Sequence, residues 1–141
     1  MPMKNLALLI ILIWWSPLSL ADHVTYEYGS YRDKLVLSYT NDLLTLHRNA
    51  VGKEPPNCST KISKDTLTHS LDFFHKIELN NWKSSYFADG QMDGVTFSLD
   101  ILIGDFQKTS IGHAKLAPKE HEKLVRYFNQ LLVVNGCQKG I

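Results

Sequence analysis

Apolar and polar positions alternate with different periods along this chain, and each period predicts a different element. Leu6 to Trp15 is an unbroken apolar run of ten residues that follows Lys4 almost at once. As a helix it would rise only ~15 Å, against a bilayer core of ~30 Å. Ser16-Pro17 breaks the run, and Ser19 and Ala21 place small side chains three and one positions before the bond to Asp22. This pattern predicts a secretory signal peptide over residues 1–21, cut after Ala21. A retained anchor or a buried N-terminal helix is the alternative, and Trp14-Trp15 is the feature that keeps it open. Residues 22–141 are then the expected mature chain, a single domain of 120 residues.

Behind the cut the period drops to two. Val24, Tyr26 and Tyr28 alternate with Thr25 and Glu27, which predicts a half-buried strand over 23–28. Gly29-Ser30 reads as a turn, 34–39 as a second strand, 40–42 as another turn and 43–48 as a third strand. The stretch 49–60 holds Gly52, Pro55 and Pro56 and predicts a surface connection. From Ser63, an N-cap candidate with Asp65 in the first turn, the period lengthens. Leu67, Leu71, Phe74 and Ile77 share one side of a helix running to about Leu79. Residues 84–88 make a short strand, and Asp89-Gly90 and Asp93-Gly94 bracket a reversal. Val95, Phe97, Leu99, Ile101 and Ile103 then mark a core strand, and Gly104-Asp105 a type II′ hairpin turn into a strand over 106–111. Pro118 opens a second helix at N1, Leu124, Phe128, Leu131 and Leu132 form its apolar stripe, and Gly136 is its C′ residue. The order βββ-α-βββ-α predicts an α+β domain: an antiparallel sheet of five to six strands with two helices packed on one face.

Two cysteines, Cys58 and Cys137, lie in a chain read as exported, so one intramolecular pairing is possible and a disulfide is expected. No second cysteine or histidine lies two to four residues from either, as zinc sites usually require. Asn57-Cys58-Ser59 also matches the N-glycosylation pattern, a short motif that carries meaning only in some hosts.

Composition narrows the partners. The full chain carries a net charge of +1, and the mature part has 14 basic and 14 acidic residues. Such a balance supplies no field to steer the protein to nucleic acid or an acidic membrane. The signal peptide makes the expected localisation periplasmic or secreted, with no stable membrane anchor after cleavage.

The chemistry-bearing patterns are sparse. No G-x-S-x-G elbow occurs, Glu120-His121-Glu122 lacks the second histidine of a zinc hydrolase, and no glycine-rich phosphate loop is present. Asp89 to Gly94 lacks the bidentate glutamate of a calcium loop. His23 would be the second mature residue, a position that can contribute to adventitious copper binding, whereas the tightly binding arrangements put histidine first or third. A mobile terminus is the simpler expectation there. No cofactor, metal or catalytic residue is therefore assigned. An enzyme would need a site assembled from separated residues such as His69, Asp72 and His113.

Aromatic side chains outside the evident core are the remaining feature: Tyr26, Tyr28, Tyr31, Tyr39, Trp82, Tyr86 and Phe87. Tyrosine and tryptophan anchor binding patches, and they also cover antiparallel sheets. Small exported α+β domains with one disulfide and no catalytic signature occur among inhibitors and immunity partners, a fold-level analogy that identifies no site. The leading expectation is a binding protein that neutralises or inhibits another protein, a toxin or a hydrolase. Its docking loop is expected at 80–94, with Trp82, Tyr86, Asp89 and Asp93 as contacts. The alternative is a carrier that encloses a small ligand in an apolar cavity between sheet and helices.

Overall fold

The computed structural model describes residues 20–52, 58–90, 93–138 and 140–141. The leader, apart from Leu20 and Ala21, and the Asn57 motif residue lie outside the described residues. The elements are β1 (His23–Ser30), β2 (Asp33–Tyr39), β3 (Leu43–Ala50), β4 (Cys58–Lys61), α1 (Asp65–Lys76), β5 (Ser85–Tyr86), β6 (Thr96–Ile103), β7 (Phe106–His113) and α2 (His121–Val134). The strands form one seven-stranded sheet in the order β4-β3-β2-β1-β6-β7-β5. All neighbours are antiparallel except β5, which runs parallel to β7.

The register explains the alternation. Val24 sits between Tyr39 and Ile101, Tyr26 between Leu37 and Leu99, and Tyr28 between Leu35 and Phe97. Their side chains share one face of the sheet, and both helices pack on it. Phe128 of α2 lies 5.0 Å, centroid to centroid, from Tyr26, and Phe74 of α1 lies 6.4 Å from Phe106 and from Phe128. The domain is thus the α+β architecture anticipated, with two helices on one face and one disulfide. The opposite face carries Thr25, Glu27, Lys34, Ser38, Thr45, Thr96 and Ser98, polar positions with no helix over them among the described residues.

Several boundaries differ from those the sequence predicts, each for a local reason. The strand count is seven, because part of the supposed 49–60 connection is β4, paired with β3 from Leu43↔Lys61 to Leu46↔Cys58. The first hairpin turns at Tyr31-Arg32, two residues beyond Gly29-Ser30. Gly29 is instead needed inside the ladder, at φ 144, where a Cβ would collide with the Asp33 carbonyl oxygen. The N-cap position of α1 is Lys64, one residue after the Ser63 expected there, and Ser63 Oγ accepts from the Asp65 N–H at 3.2 Å just ahead of the helix. The helix ends early, at Lys76, because Glu78 takes a left-handed conformation (φ 53) and a 3₁₀ turn over Leu79–Asn81 follows. Pro118 stands a turn ahead of α2, its carbonyl accepting from the His121 N–H at 2.9 Å.

Gly136 closes α2 in the left-handed conformation, at φ 82. The Cys137 N–H reaches back to the Leu132 carbonyl (2.9 Å) and the Gly136 N–H to that of Val133 (3.1 Å), a Schellman closure. That closure aims Cys137 at Cys58, at the start of β4, and the disulfide joins them with the Cα atoms 5.8 Å apart. The tail then folds back: Asn129 donates to the Ile141 carbonyl at 2.8 Å and accepts from its N–H at 3.0 Å.

Candidate functional site

The helix-covered interior is closed by aromatic packing. Tyr26, Tyr39, Phe74, Phe97 and Phe128 are its largest fully buried side chains. Two polar groups run through it. Tyr39 donates to Ser70 Oγ at 2.8 Å, Ser70 donates to the Thr66 carbonyl at 2.8 Å, and Tyr127 Oη lies 2.7 Å from Ser70 Oγ. Burial pushes the hydroxyls of Tyr39 and Tyr127 above the usual phenol range. At the other end of the layer, Tyr26 Oη and His121 Nε2 are 2.8 Å apart, within a surround of Phe97, Trp82 and Tyr28. Burial, partly opposed by Glu122, lowers the His121 imidazole to about 4. The ring is therefore neutral at physiological pH, hydrogen-bonded to a Tyr26 hydroxyl that burial also raises.

This placement answers for the sequence-predicted residues one by one. Trp82, 5% exposed, belongs to the core and offers no ring to a partner. Its segment is clamped to β7: Lys108 Nζ donates to the carbonyls of Asn80 and Trp82, and Ser110 Oγ donates to that of Lys83 at 2.8 Å. Tyr86 is half-buried against Phe97, its hydroxyl accepting from the Lys83 N–H at 2.7 Å. Asp89 and Asp93 are exposed, and Asp93 lines a cleft. His69 and Asp72 are exposed on α1, whereas His113 is on β7 beside Phe87, on the sheet face away from the helices. The three candidates for a dispersed catalytic site do not converge.

The cleft that Asp93 lines is on the uncovered end of the sheet. It has a volume of about 680 Å³ and lies between the β1–β2 hairpin (Ser30, Tyr31, Arg32, Lys34) and the start of β6 (Gly94, Thr96). A smaller depression of about 170 Å³ shares Lys34 and Thr96 with it and continues to Phe87 and Ile111. On the other flank of the hairpin a shallow hollow of about 280 Å³ runs from Tyr31 and Arg32 to Arg48 and Val51. The hairpin tip therefore stands between two concave surfaces.

Its tip is held firmly. The Arg32 carbonyl accepts from the Val51 N–H at 3.1 Å and the Arg32 N–H donates to Ser30 Oγ at 3.3 Å. Arg48 grips the Asp33 carboxylate through two nitrogens, Nε at 2.7 Å from Oδ1 and Nη2 on Oδ2. Lys34 pairs with Glu27 across the strands at 3.1 Å. Those pairs neutralise four of the charges around the tip, while Arg32 and Asp93 enter no ion pair among the described residues. Tyr31 is fully exposed, and Phe87, Val95 and Ile111 add half-exposed apolar surface further along.

Tyr31 and Phe87 stand among the aromatics noted in the sequence, and only the fold separates them from the buried Tyr26, Tyr39 and Trp82. Arg32, Lys34 and Thr96 gave no signal at all, because they meet through strand pairing between distant segments. No protein-family model matches this chain, and no curated protein matches it.

Proposed function

We propose that the protein is an exported binding protein that neutralises or inhibits another protein, of the toxin-immunity or hydrolase-inhibitor kind, and that it docks through the β1–β2 hairpin tip and the adjoining clefts. One observation carries this reading: Tyr31 is fully exposed next to an Arg32 that enters no ion pair among the described residues, on a hairpin braced by a hydrogen bond from Val51 and by an Arg48–Asp33 pair. Tyrosine and arginine are the side chains that most often dominate binding energy, and a braced tip loses little freedom on docking. Flanking hollows allow the partner to close around the two side chains and exclude water. Export agrees with a disulfide between Cys58 and Cys137 and with a scissile bond after Ala21 that is exposed just ahead of β1.

The test is affinity capture of partners from the exported proteins of the source with the wild-type chain, Tyr31→Ala, Arg32→Ala and, as a control on α1, Asp72→Ala. The reading predicts one stoichiometric partner, retained by Asp72→Ala and bound at least about 30-fold more weakly by Tyr31→Ala, as for a residue contributing ~2 kcal/mol or more. Capture unchanged by both hairpin substitutions would contradict it.

A further inference from the structure

We propose that removal of residues 1–21 creates a copper(II) site at the new amino terminus, with the α-amine of Asp22, the backbone nitrogen of His23 and His23 Nδ1 as ligands; this rests on the export reading above. The residues are already gathered. His23 is the first residue of β1, paired with Leu102 of β6, so the mature terminus is part of the sheet and not the mobile tail that the sequence suggests. The Asp22 carboxylate is fixed from the side, Oδ1 accepting from the Gly104 N–H at 3.1 Å. The imidazole is held at both nitrogens: Nε2 lies 3.2 Å from Asp100 Oδ2, and Nδ1 lies 2.9 Å from the Ala21 carbonyl oxygen.

Cleavage acts on that second contact. The carbonyl held by Nδ1 belongs to the peptide group that is cut, so it departs with the leader and the nitrogen it leaves behind becomes a primary amine beside the freed Nδ1. An amine, the next backbone nitrogen and the Nδ1 of a histidine in second place close two fused chelate rings around one metal ion. Binding sends the extra ammonium proton and the amide proton to water, and the backbone nitrogen becomes an anionic ligand. Copper(II) stands highest in the divalent series for such nitrogen donors. Asp100 completes the arrangement from behind: by accepting the Nε2–H it fixes the tautomer whose lone pair is on Nδ1 and raises the basicity of the ring. The fourth planar position is left for water or a donor from outside. No cluster of three histidine, cysteine or acidic side chains suited to a metal is present among the described residues. Two of the three ligands here are main-chain nitrogens, and one of them exists only after cleavage.

The naturally exported protein tests this, purified under metal-free conditions and titrated with copper(II) and, separately, zinc(II). Intact mass establishes the N-terminus, and electron paramagnetic resonance reads the number of nitrogens on copper. The proposal predicts a chain beginning at Asp22, one copper bound through three nitrogens, and no displacement by equimolar zinc. His23→Ala abolishes this signal with the far-ultraviolet circular dichroism unchanged, and Asp100→Asn weakens binding about ten-fold. A different N-terminus overturns both the cleavage reading and the site. A chain beginning at Asp22 whose copper signal is absent, or survives His23→Ala, overturns the site alone and leaves the export reading standing.

Discussion

At the scale of single residues, the interior owes much of its specificity to two buried polar arrangements. His121 is 6% exposed and its imidazole is lowered from 6.5 to about 4. Between those values the unfolded chain takes up a proton that the folded chain refuses, so stability falls as pH drops from 6.5 to about 4 and levels off below. The contribution present at neutral pH is at most ~3 kcal/mol. Urea unfolding at pH 7 and pH 4.5 should show this loss, and His121→Gln, which keeps an acceptor for Tyr26 and cannot titrate, should flatten it. Ser70 is the second case. Ser70→Ala removes the acceptor of a fully buried tyrosine hydroxyl and should cost about 1–3 kcal/mol. Pairing it with Tyr39→Phe should recover part of that loss, and a double-mutant cycle by chemical denaturation measures the difference.

At the scale of elements, what the sequence discloses depends on whether an element declares itself by its own side chains. β1 and β6 do, because apolar residues alternate with polar ones from Val24 to Tyr28 and from Phe97 to Ile101, and their pairing puts one apolar face under both helices. α2 does as well, through its stripe and its glycine closure. β4 does not: Cys-Ser-Thr-Lys has no apolar alternation, and it becomes a strand because β3 offers an edge and the disulfide holds it there. The segment from Leu79 to Tyr86 is the clearest failure of local reading. An aromatic between polar residues looks like an exposed anchor, but Lys108 and Ser110, more than twenty residues away, donate to the loop carbonyls, hold it against β7 and turn Trp82 inward. The cleft at the hairpin was illegible for the same reason, since Lys34 and Thr96 meet only after β1 pairs on both sides. This clamp makes a prediction of its own. A Cβ on Gly112 would stand 2.6 Å from Tyr86 Cβ and 2.5 Å from its carbonyl oxygen. Gly112→Ala should therefore detach β5 and raise amide exchange across residues 83–87, with β1 and β2 protected as before. Uniform loss of protection over the sheet would show instead that the clamp and the core unfold together.

For the molecule as a whole, the disulfide ties an edge strand to the tail behind α2 across 79 residues of sequence. The chain-entropy model sets its contribution at ~4.5 kcal/mol as an upper figure, a large share of the ~5–15 kcal/mol typical of a domain. Cys58→Ala/Cys137→Ala should lower the unfolding free energy by a few kcal/mol, measured in denaturant, and the loss should appear first as exchange in β4 and residues 137–141. Among the described residues both helices lie on one face of the sheet and neither on the other. On that other side the hairpin tip with Tyr31 and Arg32 is the feature proposed to meet a partner. Site-specific photo-cross-linking in the source organism tests that assignment most directly, with the photoreactive residue placed at position 31 and, as a control, at position 72 on α1. The account predicts a single discrete protein adduct from position 31 and none from position 72. No adduct from position 31, or the same adduct from both positions, would contradict it.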